Sequence, residues 1–481
     1  MESKGIDSQY ILDYLEDLER RDFEVHSLLM AVGGEVIFEG HYNPYNPDDP
    51  YIIHSLTKVL TISAAGIAVT QGKMKMTDTV AEYFPDKLPK DASDNLKAMT
   101  LKDLLTQRSG HGRFISGNEW RPLKTSWLEA FMKEPVPLKP GEKYIYSSGN
   151  TYMVSAMVQK AMGKTCEDVV REYIMPKLGI KELSWGKSPE GISSGGNGVM
   201  MTPEDLLKIA VLYLQKGMWN GERLLTEEWC DLSLGVKEGF DAPEKNLTYG
   251  YHWEHQGIGS GIITAGGVFG QTLLVVPSLN LAMVATGGTT QSYEAVHAEA
   301  IQRTIVGKTL ADKERKYDGK YTGILKKKGE RLNLLSLATV SGSPLAEKIN
   351  GKTFVIEENA DTIKSIRLDF SEDSVTYTMA DARGEHSIVN GVGGWITGHS
   401  TMTGNYLHHQ YQNPSQKVVA SAQWRDDNTL QLMWGHPEMA FRDLVTIKLT
   451  DKTISMIRSV NANSKGPFGG MERPEVKGNI Q

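Results

Sequence analysis

The stretch Ser55-Leu56-Thr57-Lys58-Val59-Leu60-Thr61-Ile62-Ser63-Ala64-Ala65-Gly66-Ile67-Ala68-Val69-Thr70 sets a serine and a lysine three positions apart, at the head of a run that is apolar on nearly every side. On an α-helix that spacing puts both side chains on one face, within reach of each other. A helix apolar all round belongs in a core, and a lysine at its head is costly to bury unless it loses its charge. A neutral lysine can take the proton of a serine hydroxyl, which is a poor nucleophile without such a neighbour. The helix N-terminus adds unpaired N–H groups and a dipole that favours a developing oxyanion. The spacing alone decides nothing, because it recurs at Ser184-Trp185-Gly186-Lys187, in a turn beside Ser188-Pro189 with no apolar helix behind it. Context, not pattern, selects Ser55 as candidate nucleophile and Lys58 as candidate base.

Two further segments carry candidate chemistry. Pro140-Gly141-Glu142-Lys143-Tyr144-Ile145-Tyr146-Ser147-Ser148-Gly149-Asn150 is a polar, turn-forming loop ahead of a helical pattern that starts at Tyr152. A tyrosine there can relay a proton, provided a cation holds its pKa down; taken alone, it more often simply packs its ring. Ala265-Gly266-Gly267-Val268-Phe269-Gly270-Gln271 runs into the apolar segment 272–276. Small residues on a strand admit a close substrate backbone, and their N–H groups could complete an oxyanion hole with that of Ser55. Standing alone, the segment would be an ordinary glycine-rich turn.

Together and in this order, the three segments resemble the penicillin-recognising serine hydrolases, the β-lactamase and DD-peptidase superfamily, over roughly residues 26–306. Flanking phrases agree: Gln71-Gly72-Lys73-Met74-Lys75-Met76-Thr77-Asp78 with Tyr83-Phe84-Pro85, Leu104-Leu105-Thr106-Gln107-Arg108-Ser109-Gly110, and Tyr249-Gly250-Tyr251-His252-Trp253. The resemblance implies an α/β (α+β) fold of the β-lactamase/transpeptidase type, with an antiparallel sheet flanked by helices and a helical subdomain. It implies Ser55 as the acylated nucleophile and Lys58 as the base. Tyr146 would share a proton with Lys58 and protonate the leaving group. Ser148 stands where β-lactamases carry asparagine, and the resulting Tyr-x-Ser is more similar to the amidase and esterase branch, including the aminohexanoate-oligomer hydrolases. Gly266 and Gly267 stand in the third motif without its usual lysine or histidine. The oxyanion N–H there belongs to Gly267 or Val268, with Val268 preferred. Since the third-motif lysine grips the carboxylate of a penicillin, its absence argues against β-lactams or cell-wall peptides as the main substrate. The implied activity is hydrolysis of a small amide, peptide or ester through an acyl-Ser55 intermediate. The alternatives are a penicillin-binding DD-peptidase or β-lactamase, and a catalytically silent binding or sensor protein of the same fold.

The rest of the chain bounds this reading. At 481 residues it exceeds one ordinary core, and a division into residues 1–310, a β-rich domain over 311–455 and a tail over 456–481 is expected. The β-rich part is read from short alternating segments at 331–335, 352–356, 374–378, 418–422, 430–434 and 444–448, and suggests a sandwich or barrel. The stretch 461–481, rich in Gly, Pro and charge, reads as a loose or docked tail. In the first part, a helix is expected over 8–21, a hairpin across Gly33-Gly34, helices over 55–70, 101–107, 152–162, 202–216 and 292–306, and strands over 261–265, 272–276 and 280–286. A net charge of −7 without a basic stripe argues against nucleic acid as a partner. The acidic N-terminus lacks the apolar core of a signal peptide and the apolar helix is too short to span a membrane, so the cytoplasm is the expected location. Cys166 and Cys230 are expected to be reduced thiols at helix positions. No cofactor or metal site is expected. His408-His409 would point to opposite faces of a strand, and Gly257-Ile258-Gly259-Ser260-Gly261 lacks the later glycine of a dinucleotide fingerprint. A small-molecule substrate is the expected partner, with homo-oligomerisation open. Arg113, Phe114, Trp120, His252 and Trp253 are candidate pocket walls, each equally readable as ordinary surface or core.

Overall fold

The structure is a computed structural model. It describes residues 4–480 apart from 116, 237–239, 243–246, 258–259, 291–292, 312–318, 335–341, 403–414 and 464–471. His408-His409 and the middle of the Gly257–Gly261 segment lie outside the described residues.

Two β structures organise the chain. The first is an antiparallel sheet built from both ends of the N-terminal part: β1 (Val25–Val32), β2 (Glu35–His41), β3 (Phe240–Ala242), β4 (Leu247–Tyr249), β5 (Glu254–Gln256), β6 (Ile263–Gly267), β7 (Gln271–Val276) and β8 (Leu281–Gly287), in spatial order β2-β1-β8-β7-β6-β5-β4-β3. The hairpin expected at Gly33-Gly34 joins β1 to β2, with both glycines at positive φ. Residues alternate between the faces. Leu28 and Met30 face one core with helix α1 (Ser8–Arg20), whereas Leu29 and Ala31 face another with the helical lobe. With both faces covered, β1, β7 and β8 are buried along their whole length, which is why their sequences read as unbroken apolar runs.

The helical lobe holds α2 (Thr57–Thr70) and α3 (Ser148–Met162), which pack on each other, and α4 (Pro203–Leu214) lies on β8. Thr202 caps α4 by accepting from the Asp205 N–H, as the Thr-Pro-Glu-Asp sequence predicts. The expected helix over 292–306 is α5 (Tyr293–Ile301) continued by a wider π turn through Val306.

The second structure is a ten-stranded antiparallel sheet, closed into a barrel where Gly391 and Ser421 pair in parallel. One detail differs from expectation. Residues 331–334, the described part of the strand expected over 331–335, form no strand: they follow helix α6 (Thr322–Gly329), and Leu325 and Leu332 are buried against the first sheet. The alternation there reflects one buried side of an irregular segment. Of the stretch 461–481, Val476–Ile480 takes the docked alternative, forming a strand between Thr353–Ile356 and Thr453–Val460. Cys166 and Cys230 are both free, buried and helical. Among the described residues no helix is long and apolar enough to cross a membrane, and no cluster of side chains could hold a metal ion.

Candidate active site

The head of α2 is held by a short strand beside it. The short strand Tyr51–Ile52 pairs with Val199–Met201, and Val199 N–H donates to Thr57 Oγ1 at 3.0 Å. A single 3-10 turn, His54–Leu56, then feeds α2. Ser55 sits at that junction, partly exposed, whereas Lys58 is fully buried. Lys58 Nζ lies 2.9 Å from Ser55 Oγ and 3.4 Å from Ser148 Oγ, and donates to the Gly196 carbonyl at 2.8 Å. Among the described residues no carboxylate forms an ion pair with it. Burial therefore pushes its pKa down to about 7, with the more distant charge of Glu254 opposing. Near neutral pH a large share of molecules carry the free amine.

Tyr146 is the third member. Its ring centroid lies 4.9 Å from Lys58 Nζ, and its side chain hydrogen-bonds with Ser55. The sequence reading required a cation to hold this phenol's pKa down, and the structure corrects that. Burial pushes the pKa up, the charges of Glu254 and Glu294 push the same way, and the bond to Ser55 opposes them. Tyr146 keeps its proton. Ser148 opens α3, and its N–H donates to the Ile115 carbonyl at 3.1 Å.

The third segment is split by the alternation of β6. A Cβ on Gly267 would stand 2.5 Å from the Ile53 carbonyl oxygen and 3.3 Å from His54 Cβ, so this glycine touches the turn that precedes Ser55. Gly266 faces the other way. A Cβ there would overlap the Glu294 carboxyl on α5, which would have to move aside. Val268 follows beyond the strand, exposed, its carbonyl accepting from Gln271 Nε2 at 3.3 Å.

Several participants escaped the sequence reading. Gly196 supplies the carbonyl that binds Lys58, and a Cβ on it would crowd Ser148 Cβ at 2.9 Å. The signal was present in the dense glycines of Ser193-Ser194-Gly195-Gly196-Asn197-Gly198 ahead of α4. Glu294, which occupies the space over Gly266, has its pKa raised to about 8, first by burial and then by Glu254. Gly266 on β6 is thus flanked by a carboxyl group. His54 and Phe269 both adopt left-handed backbone, at φ +48° and +70°. Such a conformation costs a non-glycine residue about 1–2 kcal/mol. Of the candidate walls, Phe114 and His252 stand beside Tyr146, with ring centroids 5.9 and 6.1 Å away. Trp120 and Trp253 are core, and Arg113 pairs with Glu119 and Glu134 at the surface.

Comparison with known proteins supplies the family. The β-lactamase family model matches residues 15–306. The 6-aminohexanoate-dimer hydrolase of Paenarthrobacter ureafaciens is 22% identical over 293 residues, covering 56% of this chain and 74% of that protein. The D-alanyl-D-alanine-carboxypeptidase/endopeptidase AmpH of Escherichia coli K12 is 24% identical over 306 residues, 53% of this chain and 77% of its own. Among solved structures, EstCE1, a hydrolase with promiscuous acyltransferase activity, superposes with a TM-score of 0.52 at 16% identity, over 61% of this chain and 98% of that one, and so shares the fold. The chain belongs to the β-lactamase family and is a serine hydrolase.

Proposed function

We propose that the protein cleaves a small amide, peptide or ester through an acyl-Ser55 intermediate. The observation that carries this is the placement of a fully buried Lys58 amine 2.9 Å from a partly exposed Ser55 Oγ, with burial lowering the lysine pKa to about 7. Neutral Lys58 takes the Ser55 proton as Oγ attacks the substrate carbonyl. The oxyanion is received by the N–H groups of Ser55 and Val268. Tyr146, protonated, gives its proton to the departing nitrogen or oxygen and recovers one from the Lys58 ammonium. Water then attacks the ester carbon, its proton passes back through Lys58 and Tyr146, and Ser55 Oγ leaves with a proton.

The carboxyl of Glu294 over Gly266 stands where a third-motif cation would grip a carboxylate beside the scissile bond, so such substrates gain no ion pair there. Neutral esters and amides, and linear amides of the kind named for the aminohexanoate-dimer relative, fit better. We assign the hydrolase unit to the chain through α6 and the barrel to the remainder, including Val476–Ile480. The two buried free thiols suit a cytoplasmic setting.

The test treats the protein and its Ser55→Ala variant with a fluorophosphonate probe and with labelled penicillin. Ser55-dependent labelling by the fluorophosphonate alone supports the proposal, and labelling by both points to penicillin recognition. Absence of Ser55-dependent labelling, with short p-nitrophenyl esters untouched, would leave the silent-protein reading.

A further inference from the structure

The barrel meets the hydrolase unit at the place where the site is strained. The turn at residues 436–441, between the barrel strands Thr429–Gly435 and Arg442–Leu449, is closed by Phe441 O accepting from His436 N–H at 3.1 Å. From this turn the Glu438 carbonyl accepts the Ile52 N–H at 2.9 Å, three residues before Ser55. Phe441 meets the ring of Phe269 edge-on at 5.2 Å, and Phe269 meets His54 edge-on at 5.4 Å. Ile52, Phe269, Met439, Ala440, Phe441 and Ala462 form one closed apolar cluster. A polar chain runs beside it. Arg442 donates to Glu24 at 2.8 Å, Glu24 meets His26 at 3.0 Å, and His26 meets the Tyr51 hydroxyl at 3.0 Å.

Two of the residues so gripped, His54 and Phe269, have left-handed backbone. His54 immediately precedes the nucleophile, and Phe269 immediately follows the amide assigned to the oxyanion. A strained backbone persists only where its surroundings over-determine it. Here the last ring of the stack, Phe441, comes from the barrel.

We propose that the 436–441 turn of the barrel is a positioning element of the active site, with Phe441 as its principal residue, clamping the Ser55 and Val268 turns at their working separation. The inference rests on the acyl-Ser55 reading given above. It assigns the barrel a role in the rate of acylation, beyond any role in stability. Aromatic edge contacts and apolar packing fix the rings of His54 and Phe269, and misplacing a reacting group by about an ångström can cost on the order of a hundredfold in rate.

The experiment uses the full chain and measures the second-order rate of fluorophosphonate labelling, kcat and KM on a p-nitrophenyl ester, and Tm. The variants are Phe441→Ala and Ile447→Ala, the latter deep in the barrel core away from the seam. The expected result, well below either Tm, is a labelling rate and kcat for Phe441→Ala down by about tenfold or more, with KM little changed. Ile447→Ala should label at nearly the wild-type rate despite a lower Tm. Labelling of Phe441→Ala within about twofold of wild type, or an equal loss in Ile447→Ala, overturns the proposal. If Phe441→Ala does not fold, Phe441→Leu is judged by the same two criteria. Wild-type labelling that persists in Ser55→Ala defeats the acyl-Ser55 reading itself; Ser55-dependent labelling that ignores Phe441 defeats this inference alone.

Discussion

Ser55 and Lys58 share their spacing with Ser184 and Lys187, and almost nothing else. Lys58 is fully buried, with a carbonyl and two hydroxyl groups around its amine. Lys187 is 43% exposed and pairs with Glu167 at 3.2 Å, while Ser184 lies exposed on a two-residue strand. An exposed ion pair is worth about 0–1 kcal/mol. Lowering Lys58 from 10.5 to about 7 corresponds to a penalty on its charged form of about 5 kcal/mol. The difference is desolvation without a compensating carboxylate, and it turns one lysine of two into a base.

Breaking the buried pair should have the largest effect. Lys58→Arg preserves positive charge but cannot surrender its proton, so hydrolysis of a p-nitrophenyl ester should fall by about a thousandfold or more while the fold, followed by circular dichroism, is kept. Tyr146→Phe keeps the ring beside Lys58 and removes the relay. Its kcat should fall by about a hundredfold, and more for an amide than for an ester, because an amine leaves only when protonated. A Tyr146→Phe enzyme as active as wild type on an amide would remove that residue from the mechanism. At the other end, Ser184→Ala and Lys187→Ala should each stay within about twofold of wild type in kcat/KM and close to it in Tm.

The sequence carried the parts of this site whose chemistry is local. A serine and a lysine on one helical turn, inside an apolar run, already imply a shared face and a burial cost. Tyr146 and the Gly266-Gly267 pair became readable only beside that turn and through their order along the chain. What could not be read depends on contacts between distant segments. Gly196 offers its carbonyl to Lys58 from 138 positions away. Glu294 reaches over Gly266 from another element, and Phe441 reaches Phe269 from the barrel. The direction of the Tyr146 shift was also missed, because it comes first from burial of the phenol among distant segments, with Glu254 and Glu294 adding to it. In the C-terminal half, alternation singled out five of the ten barrel strands, and five of the six segments so read were strands. Residues 331–334 were not, since one buried side looks the same on a strand and on an irregular segment laid across a sheet.

The pH dependence of Ser55 acylation tests desolvation of Lys58 most directly. Lys58 acts as a base only when neutral, and its pKa is lowered, so the fluorophosphonate labelling rate should be small in acid, rise with pH and reach half its plateau near pH 7. Tyr146 stays protonated throughout that range. Glu294 titrates at about 8, so the same profile is recorded for Glu294→Gln, in which the limb near pH 7 should persist. A labelling rate that is flat through neutrality and climbs only towards the ordinary lysine pKa would contradict the assignment of Lys58 as a base made by burial.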